Sequence, residues 1–224
     1  MDPIATIQQL GLVPVLEVPD ADTAVGVAGA LSDAGLPCAE ITFRTAAAEE
    51  AIGRIAASLP DILLGAGTVR TIDQVERALG AGAEFVVTPG FNPAVVDHCI
   101  ARGVPVVPGM CTPTELEMAL AHGITTVKFF PAEASGGAGY LRAIRAPYAD
   151  VRFVPTGGIH RGNLADYLSV PGVIACGGSW MASRDLLASG DLDKVRHLAA
   201  EAVLLVAQAR GQAGSPLRNA SSPA

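Results

Sequence analysis

At 224 residues, half of them apolar and 17% charged, the chain carries enough hydrophobic material for one substantial core, and α/β barrels of this length are ordinary. A formal net charge of -7, with arginines scattered rather than clustered, argues against a nucleic-acid partner. The longest uncharged run, Tyr167 to Ser183, is interrupted by Pro171, Gly172, Gly177 and Gly178 and does not read as a membrane span; no basic side chain precedes Arg44, so no targeting signal is read and a cytoplasmic location is expected.

Along the chain, short apolar runs alternate with longer stretches of helical period. Strands are predicted over Val13 to Val18, Cys38 to Phe43, Ile62 to Ala66, Glu84 to Thr88, Pro105 to Pro108, Thr125 to Phe130, Arg152 to Pro155 and Gly172 to Ala175. The spacing predicts helices from Asp20 or Asp22 to Gly35, then over Ala46 to Ser58, Ile72 to Leu79, Pro93 to Ala101, Thr114 to Ala121, Ala138 to Ala146, Asn163 to Leu168 and Leu192 to Ala209. Helix stops recur as a residue followed by glycine (Ala34-Gly35, Ala81-Gly82, Arg102-Gly103, His122-Gly123), the left-handed cap that ends a helix before the next strand. Strand and helix alternating eight times with apolar strands predicts a parallel sheet closed into a (β/α)8 TIM barrel. An open doubly wound sheet is the alternative, but no GxGxxG follows the first strand. Residues 1–210 read as a single domain; 211–224, glycine-rich and without period, read as a flexible tail. Four cysteines without a CxxC suit reduced, buried thiols, and the four histidines show no metal-ligand spacing, so neither metal nor other cofactor is expected.

One residue breaks the apolar pattern of its strand. Lys128 lies in TTVKFFPAE (Thr125 to Glu133), flanked by valine and two phenylalanines, and it is one of only two lysines against thirteen arginines. A buried ammonium is costly, and the same penalty makes a desolvated lysine a nucleophile, so Lys128 is a Schiff-base candidate. A strand lysine that turns outward and keeps its head in water is the structural alternative. The other lysine, Lys194, sits among Asp191, Asp193 and Arg196 and reads as solvated.

In a barrel the active site lies at the C-terminal ends of the strands. Glu40, Thr42 and Arg44 alternate along the second strand and so share a face. If that face points inward, Glu40 enters from the strand opposite Lys128, in the same layer of side chains, and supplies the proton traffic that imine formation requires. An ordinary strand-end ion pair between Glu40 and Arg44 is the competing reading. Thr156-Gly157-Gly158 and Gly177-Gly178-Ser179 follow the seventh and eighth strands, in the loops where barrels commonly hold a phosphate on backbone N–H groups.

Together the segments EITFRT (Glu40 to Thr45), GAGTV (Gly65 to Val69), VTPG (Val87 to Gly90), VKFFPAEASGG (Val127 to Gly137), PTGGI (Pro155 to Ile159) and GGSW (Gly177 to Trp180) resemble the 2-keto-3-deoxy-6-phosphogluconate (KDPG) and 4-hydroxy-2-oxoglutarate (KHG) aldolase family, over roughly Leu12 to Val206. The resemblance implies a class I aldolase, a homotrimeric TIM barrel without metal or organic cofactor, acting on a small phosphorylated keto acid. It implies that Lys128 forms the Schiff base with pyruvate and Glu40 is the general acid/base. Arg44 and Thr68 would hold the keto-acid carboxylate, Pro89 and Phe130 would line that pocket, and Gly157, Gly158, Gly178 and Ser179 would receive the phosphate. Enzymes for the galactonate epimer share much of this framework, and a phosphosugar isomerase or epimerase on the same barrel is the more distant alternative.

Overall fold

The computed structural model describes residues 2–211. The strands are β1 (Leu12–Leu16), β2 (Cys38–Thr42), β3 (Leu63–Gly67), β4 (Phe85–Val87), β5 (Val106–Val107), β6 (Gly109–Met110), β7 (Thr126–Phe129), β8 (Arg152–Phe153) and β9 (Cys176–Gly178). The helices are α1 (Pro3–Leu10), α2 (Ala21–Asp33), α3 (Ala48–Ser58), α4 (Ile72–Ala81), α5 (Pro93–Ala101), α6 (Pro113–Ala121), α7 (Gly137–Arg145), α8 (Leu164–Leu168), α9 (Arg184–Ser189) and α10 (Leu192–Ala209). All strand pairs are parallel. One ladder runs in the order β5-β4-β3-β2-β1-β9 and a second runs β6-β7-β8, giving a curled sheet flanked by helices. β5 and β6 form one run interrupted at Pro108, whose carbonyl accepts the Lys128 N–H at 2.8 Å.

Alternation along each strand divides the apolar side chains between two cores. Ala39, Ile41, Leu64, Ala66, Val127 and Phe129 pack outward with the helices. Val13, Cys38, Leu63, Phe85, Val87, Val107 and Val154 fill the concave side of the sheet. Glu40 follows from this pattern as a concave residue, because Ala39 and Ile41 on either side of it face the helices. Lys128, between Val127 and Phe129, does so for the same reason. Small residues make the concave side possible. A Cβ on Gly65 would fall 2.1 Å from the Phe85 ring, so the strand must be bare there for the aromatic to fit.

Most elements lie where the sequence places them; α5 and α10 match to the residue. Three features differ. The last strand is Cys176–Gly178 rather than Gly172 to Ala175, with Val173 joined to Phe153 only by an isolated bridge. In the sequence Gly177 and Gly178 read as a loop after the last strand, yet they are strand residues: a Cβ on the first would meet Thr156 at 2.3 Å and one on the second the Trp180 ring at 2.0 Å. α1 and α9 are short helices that periodicity did not reveal. Their ends carry ordinary signals, Asp2-Pro3 with Gly11 for α1 and Ser183 with Gly190 for α9. Cys111 is half-exposed and near Ser135, unlike the three buried thiols. All of the predicted tail except Gly211 lies outside the described residues.

α1 serves as a floor. Ile7, 2% exposed, inserts into the concave core with Val13 and Phe85, and Arg210 at the end of α10 donates to the Gln9 carbonyl at 3.0 Å, tying that helix in place. Ile7→Ala is expected to cost about 2–5 kcal/mol of stability through the cavity it leaves, read from urea denaturation; a loss below about 1 kcal/mol would mean that α1 does not plug the sheet.

Candidate active site

Lys128 leaves β7 toward the concave side and ends 3.4 Å from Glu40 Oε1 on β2. The two residues are 4% and 3% exposed, so amine and carboxylate meet almost without water. The separation exceeds the about 2.7–2.9 Å of a tight charge-assisted bond, and the amine is close enough to exchange protons with the carboxylate without being locked to it. Below them Ile7, Val13, Phe85, Val87, Val107 and Val154 form a dry floor, and the Phe130 ring lies 5.3 Å from Nζ. Gly67 makes room for the acid: a Cβ there would stand 2.1 Å from Glu40 Oε1. Cys38, one step down β2, is no rival nucleophile, since burial and the Glu40 charge push its thiol far up and keep it protonated.

Above this tier opens a cavity of about 300 Å3 lined by Phe130, Thr156, Gly157, Gly158, Gly178 and Ser179, among others. Thr156 and Phe130 border both levels: Thr156 also lines the lower cavity, and Phe130 stacks over the amine. Gly157 and Gly158 have φ of 101° and 79°, a consecutive left-handed pair that only glycine adopts without strain. Among the described residues, no internal acceptor meets the N–H groups of Gly157, Gly158 or Ser179. Unsatisfied N–H groups gathered at a cavity are suited to an anion. The loop is braced from behind, where the Glu133 N–H donates to the Gly157 carbonyl at 3.0 Å and the Glu133 carboxylate accepts the Tyr167 hydroxyl. Burial, with that hydrogen bond, pushes the Tyr167 phenol up and keeps it a donor.

Arg44 lies in the upper cavity, not against the lysine. Its Nη1 is 3.5 Å from Oε2 of Glu17, and the other oxygen of that carboxylate is held by Arg184. The Arg184 hydrogen bond, with Arg44 assisting, holds the Glu17 carboxyl below the ordinary range. Sequence reading missed both Glu17 and Arg184. A signal existed for the first: an acid inside the apolar run VPVLEV is the same anomaly as a lysine inside TTVKFF. Thr68 and Pro89 stand at the ends of β3 and β4, half-buried and lining neither cavity. Thr68 has φ 57°, a left-handed conformation uncommon for a threonine and of the kind that collects at functional sites.

A buried amine beside a carboxylate, under a cup of free N–H groups, is a site for condensing with the carbonyl of an anionic substrate. The chain matches the family model described as "Aldolase: KDPG and KHG aldolase" over residues 4–198. It is 49% identical over 200 residues to the 2-dehydro-3-deoxy-phosphogluconate aldolase of Treponema pallidum (strain Nichols), covering 89% of this chain and 95% of that one. It is 41% identical over 192 residues to the KHG/KDPG aldolase of Escherichia coli (strain K12), 86% and 90% of the two chains. A solved structure of KDPG aldolase from Legionella pneumophila, with pyruvate captured as a covalent carbinolamine, is similar with a TM-score of 0.87 at 33% identity over 90% of this chain and 98% of that one. The chain belongs to the KDPG and KHG aldolase family.

Gly67→Ala should push the Glu40 carboxylate off Lys128 while leaving most of the core intact. Activity is expected to fall at least about tenfold, with a cooperative urea transition retained. Wild-type kcat in the variant would show that the carboxylate's position is not critical.

Proposed function

We propose that the protein is a class I aldolase that cleaves KDPG to pyruvate and glyceraldehyde 3-phosphate, with KHG as a second substrate yielding pyruvate and glyoxylate. The observation that carries this reading is the buried Lys128 amine 3.4 Å from Glu40 beneath the glycine loops. The names of the relatives support it for this chain.

In the mechanism the Lys128 amine attacks the C2 ketone and water leaves, forming an iminium. Glu40 takes the proton of the C4 hydroxyl, the C3–C4 bond breaks into the iminium, and the aldehyde departs. The enamine is then protonated at C3 and hydrolysed, releasing pyruvate and the free lysine. The dry floor around Ile7 and Phe85 keeps competing water from the amine. Arg44 and Thr68 take the keto-acid carboxylate, Pro89 and Phe130 flank it, and the phosphate sits on Gly157, Gly158, Gly178 and Ser179 beside Thr156. Arg44, whose contact with Glu17 is long at 3.5 Å, turns from it to do so.

The closed (β/α)8 barrel belongs to this reading. Its support is the Cys176 N–H bonded to the Gly11 carbonyl at 3.1 Å, the Gly177 N–H bonded to the Pro155 carbonyl at 2.8 Å, and the continuity of β5 and β6 across Pro108. A single domain over residues 1–210, a homotrimeric assembly and a cytoplasmic location complete it; light scattering tests the assembly.

Pyruvate release from KDPG, followed through a lactate dehydrogenase coupling, is expected for the wild-type protein. Glu40→Gln is expected to lower kcat about 100-fold or more, the ordinary scale of general acid–base catalysis. A variant at wild-type kcat would make Glu40 structural, and a wild-type protein that releases no pyruvate would remove the aldolase reading.

A further inference from the structure

We propose that Arg184 is a specificity-determining residue for the phosphate end of the substrate, and that Glu17 is the resting partner it gives up when that phosphate enters. The proposal rests on the aldolase reading. Both side chains line the same cavity as Gly157, Gly158, Gly178 and Ser179. Glu17 is the less exposed member, its side chain 19% exposed against 73% for Arg184, so the guanidinium is the part with more room to swing. Glu17 and Arg184 also line a second cavity, with Pro19, Thr45 and Ala188. The pair therefore stands as a partition with space on either side, and the guanidinium can turn without displacing packed atoms.

Charge decides what can open it. The glycine loops offer neutral N–H donors only. The cations of this cavity are Arg44 and Arg184, and one carboxylate occupies both. An incoming anion competes with Glu17 for a planar guanidinium that donates to either group in bidentate fashion. A phosphate monoester carries about -1.5 to -2 charges near neutral pH and three acceptor oxygens. A carboxylate carries one charge, no more than Glu17 itself, so it gains little by exchange at Arg184, the closer of the two arginines to Glu17. The partition therefore favours substrates ending in phosphate over those ending in carboxylate, which separates KDPG from KHG. Glu17 holds the free arginine against weaker anions and sets the threshold.

The test compares kcat/KM for KDPG and KHG. In Arg184→Ala the ratio of the two is expected to fall about tenfold or more, through KM for the phosphorylated substrate, as one charge-assisted contact is lost. Arg184→Lys should recover part of it. An unchanged ratio in Arg184→Ala would overturn the proposal and leave the pair as a strut. Where removal of the guanidinium disturbs the fold, Glu17→Gln reads the same idea independently: inorganic phosphate should inhibit that variant more strongly than wild type, because the arginine is no longer masked. Equal or weaker inhibition overturns it. Failure of the aldolase reading looks different, since the wild-type protein would then release pyruvate from neither substrate.

Discussion

The rest of the structure depends on placing one amine and one carboxylate together where water does not reach. Lys128 and Glu40 come from strands 88 residues apart in sequence, and removing one partner of a buried pair generally costs about 3–5 kcal/mol because the other is left uncompensated. Several local choices serve this pair. Gly67 is bare so that the carboxylate fits, Ile7 closes the sheet from below, and Val127 and Phe129 anchor β7 outward so that Lys128 has only the concave side to enter.

A second tier handles charge rather than covalency. Its floor is shared with the first through Thr156, and its walls include the N–H groups of Gly157, Gly158 and Ser179, which meet no acceptor among the described residues. An open peptide donor is tolerable at a wet cavity and costly in a dry one, which keeps the anion cup above the amine instead of beside it. The two levels divide a substrate with a reactive ketone at one end and an anion at the other. Glu17 stands at the upper level, paired with both arginines, and gives up Arg184 to a stronger anion.

Much of this was legible in the sequence, and the exceptions have physical reasons. Lys128 and Glu40 could be read because a charged residue among apolar strand neighbours has a face fixed by the period of two. The glycine pairs could be read because two of them stand at the C-terminal ends of consecutive strand segments, Gly157-Gly158 after Pro155 and Gly177-Gly178 closing β9. The last strand was misplaced because Gly177 and Gly178 signal turns, whereas here they clear space for Thr156 and Trp180. α1 and α9 escaped because eight and six residues are too few for a helical period to emerge. The bond from Glu17 to Arg184 joins β1 to the start of α9, and a contact between residues so far apart in the chain has no local signature. Arg44, read as a ligand of the keto-acid carboxylate, has Glu17 as its resting partner, a contact across the chain that its own strand does not signal.

The central claim is that the Lys128 amine is the nucleophile, and reduction of its pyruvate adduct tests it most directly. Protein incubated with pyruvate and borohydride should lose activity as it gains a single pyruvate-derived group per chain. Peptide mapping should place that group on the segment from Thr125 to Glu133, with the exposed Lys194 unmodified. Activity that survives the treatment, or a group found on Lys194 or the α-amine while Lys128 stays free, would contradict the Schiff-base site.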